Sequence, residues 1–230
     1  MSVSVSANEA QPDRQDRPAA SGSPKSQGSQ GSQKSPRPSR RWRVVDIVVA
    51  SVIGVACGVV FWAWGLAWEP LSNLLAFTPG LSGLLSGGWL FAGVLGGLII
   101  RKPGAAVYTE VMAAVVSMLI GTQWGFSTLI WGVVEGLGAE LVFAAFLYSS
   151  FRLHVALLAG AGAGVAVALL DTSFSSIAAT ALEFKVVYGI SAVVSGVVLA
   201  GLLSWLAARG LARTGALSRF ASGRSAEARV

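Results

Sequence analysis

The sequence has one cysteine and one histidine in 230 residues. A single Cys excludes an internal disulfide and any cysteine-cluster metal site. A single His, His154, excludes a multi-histidine metal site, and its place beside Arg152 marks an interfacial residue. Charged residues are also scarce, at 12%, against about 25% in an average soluble domain. A chain with so little charge cannot cover a water-facing surface. Enzyme signatures are missing as well. No GxxxxGK[ST] phosphate loop, GxSxG elbow or HExxH pair occurs. Only scattered glutamates are left for chemistry, which argues against a membrane enzyme.

What is present is apolar: hydrophobic residues make up 53% of the chain. The net charge of +6 taken alone suggests nucleic acid or an anionic surface as partner. Its distribution points elsewhere. Residues 1–43 hold eight bases and three acids, and residues 209–230 hold five bases and one acid. The middle, 44–208, holds four bases and seven acids and is net −3. The first segment is rich in Ser, Gln, Pro and Gly, cannot bury enough apolar surface to order itself, and is expected to be a disordered basic tail. It has no apolar middle region of a secretory signal. The last segment is a second basic tail. No nucleic-acid partner is implied.

The middle offers six runs of the length that crosses a bilayer, roughly 20 residues each. They lie at about 44–66, 80–100, 105–121, 127–149, 153–171 and 184–208. The third is the shortest and carries Glu110. Merging it with the second would put Arg101, Lys102 and Pro103 inside a membrane, which is far worse. The expected fold is therefore all-α: a polytopic membrane bundle of six helices. Arg40, Arg41, Arg43, Arg101, Lys102, Arg152, Arg209 and Arg213 all fall on one side of such a bundle. The positive-inside rule makes that side cytoplasmic, with both termini there. Glu69, Asp171 and Glu183 fall in loops on the other side, with Lys185 the only base nearby.

Acids inside apolar helices carry the most information. Glu110, Glu135 and Glu140 each cost several kcal/mol facing lipid, so they are expected to face the interior. Glu135 and Glu140 are five apart and do not share a helix face. One can line a cavity while the other pairs with a neighbouring helix; all three could equally be hydrogen-bonded acids that pin helices together. The chain also has eight Trp. Trp42 and Trp205 fit an inner interfacial belt, and Trp62, Trp64, Trp68 and Trp124 an outer one. Trp89 and Trp131 sit too deep for a belt. Aromatic faces beside carboxylates suit a flat organic cation. Small residues recur four apart, as in Ala50, Gly54 and Gly58, Gly93 and Gly97, Gly132 and Gly136, and Gly160 and Gly164. Such faces allow close helix packing, within the bundle or against another membrane subunit.

Four stretches in order, RRWRVVDIVVASVIGVACGVVFWAWG, IIRKPGAAVYTE, IGTQWGFSTLIWGVVEGLGAELVF and ARGLARTGAL, resemble the substrate-binding S components of energy-coupling factor (ECF) vitamin transporters. The similarity spans about 42–217 and is nearest to the YkoE group, linked to thiamine and its hydroxymethylpyrimidine precursor. It implies a six-helix subunit of a bacterial cell membrane that takes its ligand at the outer surface, with a transmembrane T subunit and two cytoplasmic ATPases as partners. It needs no cofactor. It implies ligand contacts from Trp68, Gln123, Trp124, Trp131, Glu135 and Tyr188, to which the intramembrane positions add Trp89, Glu110 and Glu140. The small face of Ala50, Gly54 and Gly58 stands where the family has an Ala-xxx-Ala docking face. Metal-transporting S components use an N-terminal His site, and MSVSVSANEA has no His, so no metal is expected. A subunit for another vitamin, or a structural adaptor without ligand, are the other possibilities.

Overall fold

The computed structural model describes residues 41–214; the expected tails at 1–40 and 215–230 lie outside the described residues. The first helix, α1, runs over Val44–Leu74. The Arg43 N–H donates to Asp46 Oδ2 at 2.7 Å, so an acid sits in the first turn where the helix dipole favours one. Next come a 3-10 helix at Leu81–Gly88 and α2 at Phe91–Ile100. Then follow α3 (Ala105–Ile120), α4 (Ser127–Ala145) and α5 (Leu153–Phe174). A short 3-10 turn, Ser176–Ala179, leads into α6 (Leu182–Ser195). A π-helical stretch, Gly196–Leu202, joins α6 to α7 (Leu203–Arg213). Among the described residues all regular structure is helical, as the sequence led us to expect.

Five stretches are long and apolar enough to cross a membrane: Val44–Leu74, Leu81–Ile100, Ser127–Ala145, Leu153–Phe174 and Leu182–Arg213. Ala105–Ile120 is apolar but shorter. Four boundaries move, among them the end of the last run, which continues past 208 to Arg213. α1 continues to Leu74, with Pro70 inside its last turns. Trp68 and Glu69 are thus helical rather than in a loop. α4 stops at Ala145, since Leu147 and Tyr148 turn into positive φ, 52° and 53°. α5 runs on to Phe174, which draws Asp171 out of the expected loop and into a buried helical position.

Glycine and alanine faces hold the helices together. A Cβ on Gly160 would lie 2.2 Å from the Gly196 carbonyl oxygen, and one on Gly138 would lie 2.5 Å from that of Gly162. These backbones touch, which is how membrane helices gain packing without a hydrophobic drive between them. The small face of α1 is used the same way. Ala50 is fully buried. A Cβ on Gly54 would meet Met112 Cβ at 2.5 Å, and one on Gly58 would meet Val116 Cβ at 2.6 Å. α3 therefore covers Ala50, Gly54 and Gly58, and that face is not free to dock a second subunit. The lower end of the bundle is tied off by a polar clasp. Lys102 Nζ donates to both Asp46 Oδ2 and the Arg41 carbonyl, and Trp42 Nε1 donates to the Pro103 carbonyl at 2.9 Å.

Candidate functional site

At the other end, α1, α3, α4, α5, α6 and the 3-10 helix enclose a cavity of about 350 Å³. Its aromatic side begins on α1. Trp68, Trp89 and Trp124 meet one another, with centroids 5.2 Å apart for Trp68–Trp89, 5.2 Å for Trp89–Trp124 and 6.3 Å for Trp68–Trp124. Trp89 Nε1 donates to the Phe61 carbonyl at 3.2 Å, and Trp64 buttresses the group from outside by donating to the Leu85 carbonyl at 2.9 Å. Trp124 rides on the α3–α4 connection, which turns at Gly121 and Gly125 with φ of 111° and 55°. A non-glycine residue pays a steric penalty in that region.

The polar side comes from three helices. Thr128, Trp131, Gly132 and Glu135 face the cavity from α4, at the i, i+3, i+4, i+7 spacing of one helix face. Glu110 faces it from α3, and Asp171 from α5. Glu110 is fully buried; its Oε2 accepts from the Gly93 N–H at 2.5 Å, and its Oε1 has no partner. Thr128 Oγ1 is likewise buried without a partner. Asp171 is held rigidly. Trp131 Nε1 donates to its Oδ1 at 2.7 Å, and the Tyr188 hydroxyl donates to its Oδ2 at 2.5 Å. With that proton committed, the Tyr188 oxygen accepts from Ser86 Oγ at 3.1 Å. No Lys or Arg lines the cavity. The chamber thus offers indole faces, free carboxylate oxygens and low dielectric. That combination attracts a flat cation or a heterocycle rich in N–H donors.

Seven of the nine residues singled out from sequence line this one cavity: Trp68, Trp89, Trp124, Trp131, Glu110, Glu135 and Tyr188. Gln123 does not, because the turn at Gly121 leaves it exposed on the loop. Glu140 does not either. It points to the start of α3 and accepts from the Gly104 N–H at 2.6 Å, the Ala106 N–H at 2.9 Å and the Tyr148 hydroxyl at 2.7 Å. It caps a helix, satisfying amides that the first turn leaves unpaired. Sequence reasoning missed Asp171, Ser86 and Thr128. Asp171 follows Val167 by four residues at the end of an apolar run, and that helical spacing was the available signal.

Residues 45–166 match a family model described as an ABC-type cobalt transport system, permease component. A protein of Bacillus subtilis (strain 168) named as the HMP/thiamine permease protein YkoE is 36% identical over 187 residues, covering 80% of this chain and 92% of that protein. A solved crystal structure of an S-component of an ECF transporter superposes with a TM-score of 0.78 at 34% identity, over 82% of this chain and 95% of that one. The chain belongs to the YkoE-like S components of ECF transporters. The cavity draws its walls from several helices and its aromatic rim from helix ends and the α3–α4 connection. S components are transporter subunits rather than enzymes, and several apolar helices make this one a multi-pass membrane protein.

Proposed function

We propose that this chain captures thiamine or its hydroxymethylpyrimidine precursor from outside a bacterial cell and carries it across the plasma membrane. The observation that carries this reading is the cavity. Three carboxylates and four indoles share it, and no cation does. A pyrimidine ring would lie against the Trp faces, and its amino group or a linked cationic ring would be met by Glu110 and Glu135. The name of the Bacillus subtilis relative supports the same ligand class. As an S component the subunit would work with a transmembrane T subunit and two cytoplasmic ATPases. With the short α3 as a third of six crossings, both termini share one side, and the Lys and Arg distribution supports taking that side as the cytoplasm and the cavity's end as the outside.

The cobalt in the family description is the alternative cargo. Among the described residues no group of three or more His, Cys, Asp or Glu side chains is arranged to hold a metal ion. An indole-lined chamber also suits an organic ring better than a hydrated divalent ion.

Because four Trp line the cavity, ligand entry should quench intrinsic fluorescence. Titrating the purified protein with thiamine and with hydroxymethylpyrimidine should give saturable quenching by at least one of them. Glu135→Gln should weaken it by about tenfold or more, the loss of one charge-assisted hydrogen bond. A folded protein that responds to neither compound would refute the proposal, and a response to cobalt(II) instead would support the other cargo.

A further inference from the structure

A second hollow lies on the outside of the bundle, between α5 and α6. Its floor is Ala168 and Gly189, and exposed Leu169, Val186 and Leu182 rise as its walls. The hollow has a volume of about 350 Å³. A Cβ on Gly189 would meet only Ala168 Cβ, at 3.8 Å, so the floor is open there. The register is fixed by close packing: a Cβ on Gly164 would lie 2.7 Å from the Ala192 carbonyl oxygen. The helices run antiparallel, so Thr172 and Lys185 lie at one end and Val165 and Val193 at the other. Lys185 to Val193 spans about 12 Å along the helix.

The groove is apolar except at that first end. Thr172 Oγ1 is spent on the Ala168 carbonyl at 2.6 Å. Lys185 is different. The other bases among the described residues cluster at the opposite end of the bundle or in the flanking segments there, so Lys185 is the lone cation at the cavity's end. Its Nζ donates to the Ala178 carbonyl at 2.7 Å, which anchors it over the groove mouth. An ammonium has three donors, and no Asp or Glu forms an ion pair with this one among the described residues. A lysine at a lipid-facing surface extends its ammonium to the interface, the level at which lipid phosphates lie.

We infer that the α5–α6 groove is a phospholipid site. One acyl chain lies over Ala168 and Gly189, and the headgroup phosphate sits on Lys185. The ammonium at the mouth and the apolar lining match such a molecule, with the groove taking part of one acyl chain, and an anionic headgroup such as phosphatidylglycerol adds charge complementarity. This site is separate from the ligand cavity and does not depend on which ligand the cavity takes.

The experiment is photo-crosslinking of the full chain, reconstituted in vesicles containing phosphatidylglycerol or phosphatidylcholine with a diazirine on the acyl chain, followed by peptide mapping. Crosslinks are expected to concentrate on residues 165–172 and 182–193, severalfold above the lipid-facing valines of α1. Gly189→Leu, which fills the floor, should cut the groove crosslinks about fivefold and leave those on α1 unchanged. Lys185→Gln should lower the phosphatidylglycerol signal to the phosphatidylcholine level. Millimolar inorganic phosphate should change nothing. Labelling spread evenly over all lipid-facing helices overturns the inference, and that wild-type map decides the matter even if Gly189→Leu fails to fold. Equal signals for wild type and both variants overturn it too. Displacement by inorganic phosphate would make the site a phosphate site and overturn it as a lipid site.

Discussion

Glu135 and Glu140 are the same residue type on one helix, five positions apart, with unlike duties. Glu135 looks into the cavity and makes no hydrogen bond to any described residue, whereas Glu140 is saturated by two backbone amides and a tyrosine. Replacing Glu140 by Gln turns one acceptor into an NH2 group facing an amide N–H. We expect Glu140→Gln to cost about 1–2 kcal/mol, as for loss of a helix cap, seen as a lower thermal unfolding midpoint, with ligand affinity kept within about twofold. Asp171→Asn should do more to binding. Its two oxygens both accept, from Trp131 and from Tyr188, so an amide must oppose one donor and loosen both rings. Affinity measured by fluorescence titration should fall about tenfold. The sequence showed that buried acids must face inward. It could not show which oxygen meets which donor, because that depends on the α2–α3 connection returning to α4. Nor could it place Gln123, whose exposure follows from a glycine φ angle.

Helix positions follow from hydropathy: five of the expected runs reappear as stretches long and apolar enough to cross a membrane, and the third as the shorter Ala105–Ile120. What hydropathy misses is the kind of helix. Leu81–Gly88 is a 3-10 helix and Gly196–Leu202 a π-helix, and both occur where glycines bring two backbones into contact. The neighbours that force this lie far along the chain. A Cβ on Gly87 would meet Ser195 Oγ at 2.4 Å, and Ser195 Oγ also donates to the Leu84 carbonyl. A pair of substitutions separates packing from propensity. Gly160→Ala puts a methyl 2.2 Å from a backbone oxygen and should destabilise by about 1–3 kcal/mol. Gly189→Ala meets nothing nearer than 3.8 Å and should be neutral or stabilising by up to about 1 kcal/mol, the ordinary helix gain. Thermal unfolding in one detergent should therefore move in opposite directions for the two. A shared downward shift would mean that the α5–α6 groove is tighter than its geometry.

For the whole molecule, the net charge of +6 describes an orientation more than a partner. Among the described residues most bases gather at the end carrying the clasp of Asp46 and Lys102, while three carboxylates and four indoles line the cavity at the other. Under the proposed orientation the clasp faces the cytoplasm, as the positive-inside rule expects. The scarcity of cysteine makes this directly testable. Cys57 is buried at 5% exposure, so a Cys57→Ala background is silent to a membrane-impermeant maleimide. Gln123→Cys places a thiol on the exposed α3–α4 connection, outside the cavity. Ser149→Cys places one on the exposed α4–α5 connection at the opposite end. On intact cells the first should label and the second should label only after lysis. α3 is the deciding element, because its 16 residues give about 24 Å, short of the roughly 30 Å hydrocarbon core. If α3 crosses, the two connections lie on opposite faces and the labelling differs as stated. If it does not cross, positions 123 and 149 keep a single α4 crossing between them but the clasp at Lys102 joins the side of residue 123. Lys102 is only 10% exposed, so Lys102→Cys separates these arrangements when it is read both ways: labelling after lysis but not on intact cells means that α3 spans the membrane, and labelling on intact cells means that it does not.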